Sequence, residues 1–143
     1  MTKTLLRHRW ANFTRALGAL ERFMAAPEPS EMSRTAAIKA FEVTLETGWK
    51  LLRAYTEAQG GTTVFQGSKS VVRDALQLGL LLPEAVAVWL EMIEVRNKTA
   101  HTYDPAVVEA VYTALEARFV KEFVALRDHL AALVPDDTDS PNT

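Results

Sequence analysis

Residues 38–55 read IKAFEVTLETGWKLLRAY. Ile38, Phe41, Leu45, Gly48, Leu52 and Tyr55 follow one another at steps of three and four. That spacing lines one face of an α-helix and suits the seam of a helical bundle. Gly48 lies on the seam, where a glycine costs about 1 kcal/mol of helix propensity. Its presence there implies that a neighbouring helix comes close at that point.

The same periodicity extends outward in both directions. Towards the N-terminus, Leu6, Trp10, Phe13, Leu17, Leu20 and Met24 form one face of a first helix from about Lys3 to Ala25. Pro27-Glu28-Pro29 ends it, and Ser30 is placed to cap the second helix. Towards the C-terminus, Gly60-Gly61 supplies a stop. A third, shorter helix covers about Lys69 to Leu78 and is closed by Gly79. Pro83 opens a fourth, and Asp104-Pro105 opens a fifth as N-cap and first helical residue. The fifth carries Val108, Val111, Leu115, Phe119, Phe123, Leu126 and Leu130. No stretch reads convincingly as a strand. The expected fold is all-α: an antiparallel up-and-down bundle of four to five helices in a single domain, residues 1–132. After Val134 the composition turns acidic and lacks apolar anchors, so a disordered tail, taken as residues 133–143, is expected. Trp10, Trp49 and Trp89 are expected in the core or at an interface between subunits.

Composition narrows the function. The 143 residues are 48% apolar and 24% charged and contain no cysteine. Disulfides, Cys-ligated zinc and iron–sulfur clusters are therefore out. No apolar run approaches the ~20 residues needed to span a bilayer, and the charged start Met1-Thr2-Lys3-Thr4-Leu5-Leu6-Arg7-His8-Arg9 does not resemble a signal peptide. A cytoplasmic protein with no membrane association is expected. The net charge of −2 speaks against a general nucleic-acid coat but not against a local basic site. The histidines, His8, His101 and His129, lie far apart, and no Glu-x-x-His pair occurs, so no metal or other cofactor is expected. There is no P-loop and no dinucleotide fingerprint.

The chemistry concentrates in Arg96-Asn97-Lys98-Thr99-Ala100-His101-Thr102-Tyr103, at the end of the fourth helix. That helix has an apolar line Val86, Leu90, Ile93, Asn97 and Ala100, with Arg96 one step round it beside Trp89, Met92 and Tyr103. A buried Asn97 would need partners for both its amide and its carbonyl group. An imidazole titrates near neutral pH and can move protons. A guanidinium is a planar, permanent cation that suits a phosphate. Together, His101 and Arg96 suit attack of an RNA 2′-hydroxyl on the adjacent phosphate: His101 transfers a proton, and Arg96 stabilises the crowded phosphorus. Read from the residues alone, the same side chains also fit ordinary structural roles, Asn97 as a cap or core-network residue and Tyr103 as a packing aromatic.

Arg96, Asn97, His101 and Tyr103, together with Ile38 to Leu52 and Val71-Val72-Arg73-Asp74-Ala75-Leu76 followed by Gly79-Leu80, resemble the HEPN superfamily, in particular its nucleotidyltransferase substrate-binding or HepT-like toxin branch. The resemblance runs from about Leu5 to Leu130. It implies a symmetric homodimer and a metal-independent ribonuclease, the toxin of a toxin–antitoxin pair. Arg96 and His101 would be catalytic, with Asn97 in support. An MNT-type nucleotidyltransferase would be the antitoxin and could act by AMPylation of Tyr103. Lys69, Arg73 and Lys98 are weaker candidates for RNA contact, with solvated surface charge as the plainer reading of Lys69 and Arg73. Two positions depart from the family pattern. Val95 stands where an acidic residue often precedes the Arg, and Lys69-Ser70 stands where Arg-Asp is common. The alternative is a non-catalytic substrate-binding or regulatory subunit of the nucleotidyltransferase.

Overall fold

The computed structural model describes residues 2–60, 67–100 and 104–134. The described residues are helical, with no strand among them, and they form an all-α bundle. Helix α1 (Thr2–Met24) buries Leu6, Phe13, Leu17 and Leu20 as its periodicity requires. The proline-rich link then turns the chain back along α1 as α2 (Glu31–Ala58). Ser30 caps α2 through a reciprocal pair: the Ser33 amide donates to Ser30 Oγ at 3.1 Å, and the Ser30 amide donates to Ser33 Oγ at 2.8 Å. Helix α2 is the centre of the molecule and packs against α1, α3 (Ser68–Gln77), α4 (Pro83–Thr99) and α5 (Pro105–Ala114).

The close approach expected at Gly48 is present. A methyl group there would stand 2.9 Å from Cη2 of Trp89 on α4 and 3.2 Å from Cε1 of Phe13 on α1. Trp89 is fully buried, and its ring meets Phe123 edge-on at 5.4 Å. Phe41 stacks on Phe119 at 5.5 Å. The long helices thus each lend an aromatic side chain to one shared core, where such rings bury large apolar areas.

Helix α3 ends in a Schellman motif. Gly79 has φ +73°, its amide bonds the Leu76 carbonyl, and the Leu80 amide bonds that of Ala75. Asp104 caps α5 by accepting from the Ala106 amide at 2.9 Å.

Three features differ from the sequence reading. The fifth helix is three segments in line: α5, a π-helical turn over Leu115–Phe119, and α6 (Val120–Ala131). The cause is visible in its apolar spacing, because Val111, Leu115, Phe119 and Phe123 follow at three successive steps of four. An α-helix of 3.6 residues per turn would rotate that row off the core. The wide turn, closed by the Val120 amide on the Leu115 carbonyl, absorbs the excess. Secondly, α4 is rotated from its expected face. Val86 and Ile93 are buried, but Asn97 and Ala100 are exposed, and the inward line runs through Trp89, Met92, Arg96 and Thr99. Trp89, lodged over Gly48, sets this rotation because it buries more apolar area than the side chains of the other line. Thirdly, Val134 is buried against the core, so the packing of the bundle extends past residue 132. Residues 135–143 lie outside the described residues. No described helix is long and apolar enough to cross a membrane.

Candidate functional site

The rotation of α4 turns its last two turns towards α2 and brings Arg96 and Thr99 over Glu42. Glu42 is only 7% exposed. A buried carboxylate is costly unless donors surround it, and here three side chains do. Thr99 Oγ1 donates to Oε2 at 3.2 Å, Arg96 Nη1 stands 3.6 Å from the same oxygen, and Lys39 Nζ lies 3.8 Å from Oε1. Thr99 is itself 3% exposed. The Arg96 side chain is 36% exposed, with Nη1 the nitrogen near the carboxylate. Lys39 is largely in water and also lines an open groove of about 770 Å³ along α2 with Glu31, Met32, Thr35 and Ala36.

Of the residues singled out from sequence, Arg96 is at this site. Asn97 and Lys98 are exposed on the outer side of the same helix end. Lys69 on α3 is ion-paired with Glu94 on α4, and Arg73 is exposed on α3. Lys69 holds the Glu94 carboxyl below the ordinary carboxylate range, first by hydrogen bond and then by charge, with a smaller contribution from Lys98. Nearby, Arg118 in the π-helical turn grips Glu91 through two hydrogen bonds and lowers it likewise. His101 and Tyr103 lie outside the described residues. Thr99, the last residue of α4, stands two positions before His101 in the chain.

Sequence reasoning missed Glu42, Thr99 and Lys39 as site residues. A signal for Glu42 was present. It lies four residues after Ile38 and three before Leu45, on the apolar face of α2, where an unpaired charge is disfavoured. Thr99 gave no such signal, because threonine is common on either side of a helix.

Chemically, the cluster holds two cations against one carboxylate at the end of a helix pair. A guanidinium placed this way keeps N–H donors free for the oxygens of a phosphate.

Comparison with known proteins bears on this geometry. Residues 8–132 match the model of a family described as nucleotidyltransferase substrate binding protein like. A Haemophilus influenzae protein described as a probable ribonuclease HepT is 30% identical over 83 residues, which cover 56% of this chain and 56% of that protein. The alignment thus spans little more than half the length of that relative. A crystal structure of a Thermus thermophilus protein superposes with a TM-score of 0.72 at 29% identity, over 87% of this chain and 99% of the other.

Proposed function

Since this chain belongs to the nucleotidyltransferase substrate binding protein-like family, in the HepT-like branch of the HEPN superfamily, we propose that it is a metal-independent ribonuclease. In this reading it is the toxin of a cytoplasmic pair whose antitoxin is a small MNT-type nucleotidyltransferase. The observation that carries the reading is the partly exposed Arg96 side chain set against buried Glu42 at the end of α4, just before the chain runs on to His101.

The chemistry follows from the groups. His101 takes the proton of an RNA 2′-hydroxyl, and the 2′-oxygen attacks the adjacent phosphorus. The bond to the 5′-oxygen breaks, and that oxygen takes up a proton as it leaves. The products are a 2′,3′-cyclic phosphate and a 5′-hydroxyl. Arg96 stabilises the charge that gathers on the non-bridging oxygens, where a preorganised donor is worth roughly 10²–10³ in rate. Asn97 supports Arg96 and His101 from the exposed helix end, and Lys98 and Arg73 add contacts to the RNA backbone. Lys69 contributes less, since Glu94 already occupies it. The active form is a homodimer. AMP transferred to Tyr103 silences the site by setting phosphate charge and a bulky nucleoside beside Arg96 and His101.

The test uses purified protein and mixed RNA in the presence of EDTA. The wild type cleaves. His101→Ala and Arg96→Ala each lose activity by about 10²-fold or more while keeping the helical circular-dichroism signal. A fully active His101→Ala would sink the assignment. The second reading, a non-catalytic subunit that binds the nucleotidyltransferase or its substrate, draws on the words of the family description and on the net charge of −2. A chain that binds the nucleotidyltransferase but cleaves no RNA across varied substrates would favour it.

A further inference from the structure

We propose that Glu42 is the positioning residue of this site: its buried carboxylate orients the Arg96 guanidinium and, through Thr99, fixes the last turn of α4 from which the chain runs on to His101. The proposal rests on the ribonuclease reading of Arg96 and deepens it.

The buried polar side chains among the described residues separate the roles. Thr44 and Thr56 satisfy their hydroxyls on carbonyls of their own helix, at 2.7 and 2.9 Å. They need nothing from another element. Glu42 instead reaches across from α2 to α4, where the Thr99 hydroxyl is shared between Glu42 Oε2 at 3.2 Å and the Arg96 carbonyl of its own helix at 3.3 Å. Joining two helices does not require a charge. A buried ion pair is commonly no more stabilising than apolar side chains of similar volume, whereas removing one partner leaves an uncompensated charge. Leucine at 42 would serve the packing of α2 on α4. What a carboxylate adds is direction. It fixes where the planar cation on α4 stands and which of its edges faces outward.

The distances fit that role. Arg96 Nη1 at 3.6 Å from Oε2 is an ionic contact rather than a tight hydrogen bond, so the N–H donors stay available to a phosphate. The hydrogen bond to Oε2 comes from Thr99 at 3.2 Å, three residues further on and on the same side of the last turn. One carboxylate thus restrains both ends of the segment that leads into the motif histidine. Lys39 shares the other oxygen, so the local cluster carries two positive charges against one negative.

This arrangement predicts a split that a purely structural tie would not give. Removing the charge but keeping the shape, as in Glu42→Gln, leaves two uncompensated cations that attract RNA more strongly, while Arg96 loses its set direction. For wild type and Glu42→Gln, three quantities are to be measured: kcat on RNA, affinity for an uncleavable 2′-O-methyl oligonucleotide, and solvent exchange of the Arg96 Nε–Hε proton by NMR, assigned with Arg96→Lys. The variant is expected to lose about 10-fold to 100-fold in kcat, the scale of a misplaced reacting group. Its oligonucleotide affinity holds or rises, and the Arg96 proton exchanges faster. Glu42→Leu keeps the helix contact without a polar group and gives the same pattern should the glutamine variant fold poorly. Parallel loss of kcat, affinity and melting temperature in both variants would make Glu42 a structural tie and overturn the proposal. An unchanged Arg96 exchange rate would overturn it as well. A wild-type chain that cleaves no RNA would end the nuclease reading, and Glu42 would then be judged on the exchange rate and the oligonucleotide affinity.

Discussion

A methyl group at Gly48 would meet the six-membered ring of Trp89 at 2.9 and 3.3 Å and Phe13 at 3.2 Å, both side chains fully buried. Neither ring can move without displacing Phe123, which touches both. Overpacking of this kind costs about 1–3 kcal/mol, against about 1 kcal/mol of helix propensity gained by alanine. Gly48→Ala should therefore lower stability by up to about 2 kcal/mol, read as a lower urea midpoint at unchanged slope. An equal or raised midpoint would mean the seam is looser than these distances imply. The role of Gly48 was legible because a glycine in the middle of a strong helical pattern weakens the helix unless a close neighbour needs the space. Arg96 was legible from its motif. Glu42 and Thr99 were not singled out, because a pairing between α2 and α4 depends on how the two helices are rotated, and sequence spacing does not contain that rotation.

At the scale of elements, the boundaries written in the sequence were those with local chemistry: Ser30 as a cap, Gly79 as a stop, Pro83 and Asp104-Pro105 as starts. The facing of α4 is ambiguous in the sequence because two apolar lines lie side by side on it. Val86 and Ile93 of one and Trp89 and Met92 of the other are all buried, and only the ends of the lines, Asn97 and Ala100 against Arg96 and Thr99, tell them apart. The π-helical turn was present in the spacing of the apolar row but hidden by its resemblance to an ordinary helix. Helix α4 is tied to α3 by Lys69–Glu94 and to the π-helical turn by Glu91–Arg118. Both carboxyls are lowered from 4.5 in the folded chain. Their contribution is therefore full above that value and fades as pH falls through the lowered ones. Both pairs are largely exposed, so the effect is modest and screened by salt. Melting temperature should fall between neutral pH and about pH 3, and the acid limb should be shallower in Glu94→Gln than in wild type. Parallel curves for the two would show that Glu94 has no preferential interaction in the folded state. Glu122 has the opposite sign: burial, and then the charge of Glu84, raise it, so its ionised form opposes folding above its raised pKa and this penalty fades in acid.

For the whole molecule, the bundle and the site answer to different constraints. The core, centred on Phe13, Phe41, Trp89, Phe119 and Phe123, needs only apolar volume at helical spacing, and the fold class was therefore readable from periodicity alone. The site needs a charge in a place where the core would prefer none, and that is the mark Glu42 carries. The central claim is that Arg96, set by this bundle, acts with His101 on an RNA phosphate attacked by its own 2′-oxygen. End-group analysis of RNA incubated with the purified protein in EDTA tests it most directly. The account predicts 2′,3′-cyclic phosphate and 5′-hydroxyl ends that disappear with His101→Ala and Arg96→Ala. Fragments bearing 5′-phosphates, or the same cyclic ends persisting in His101→Ala, would contradict it.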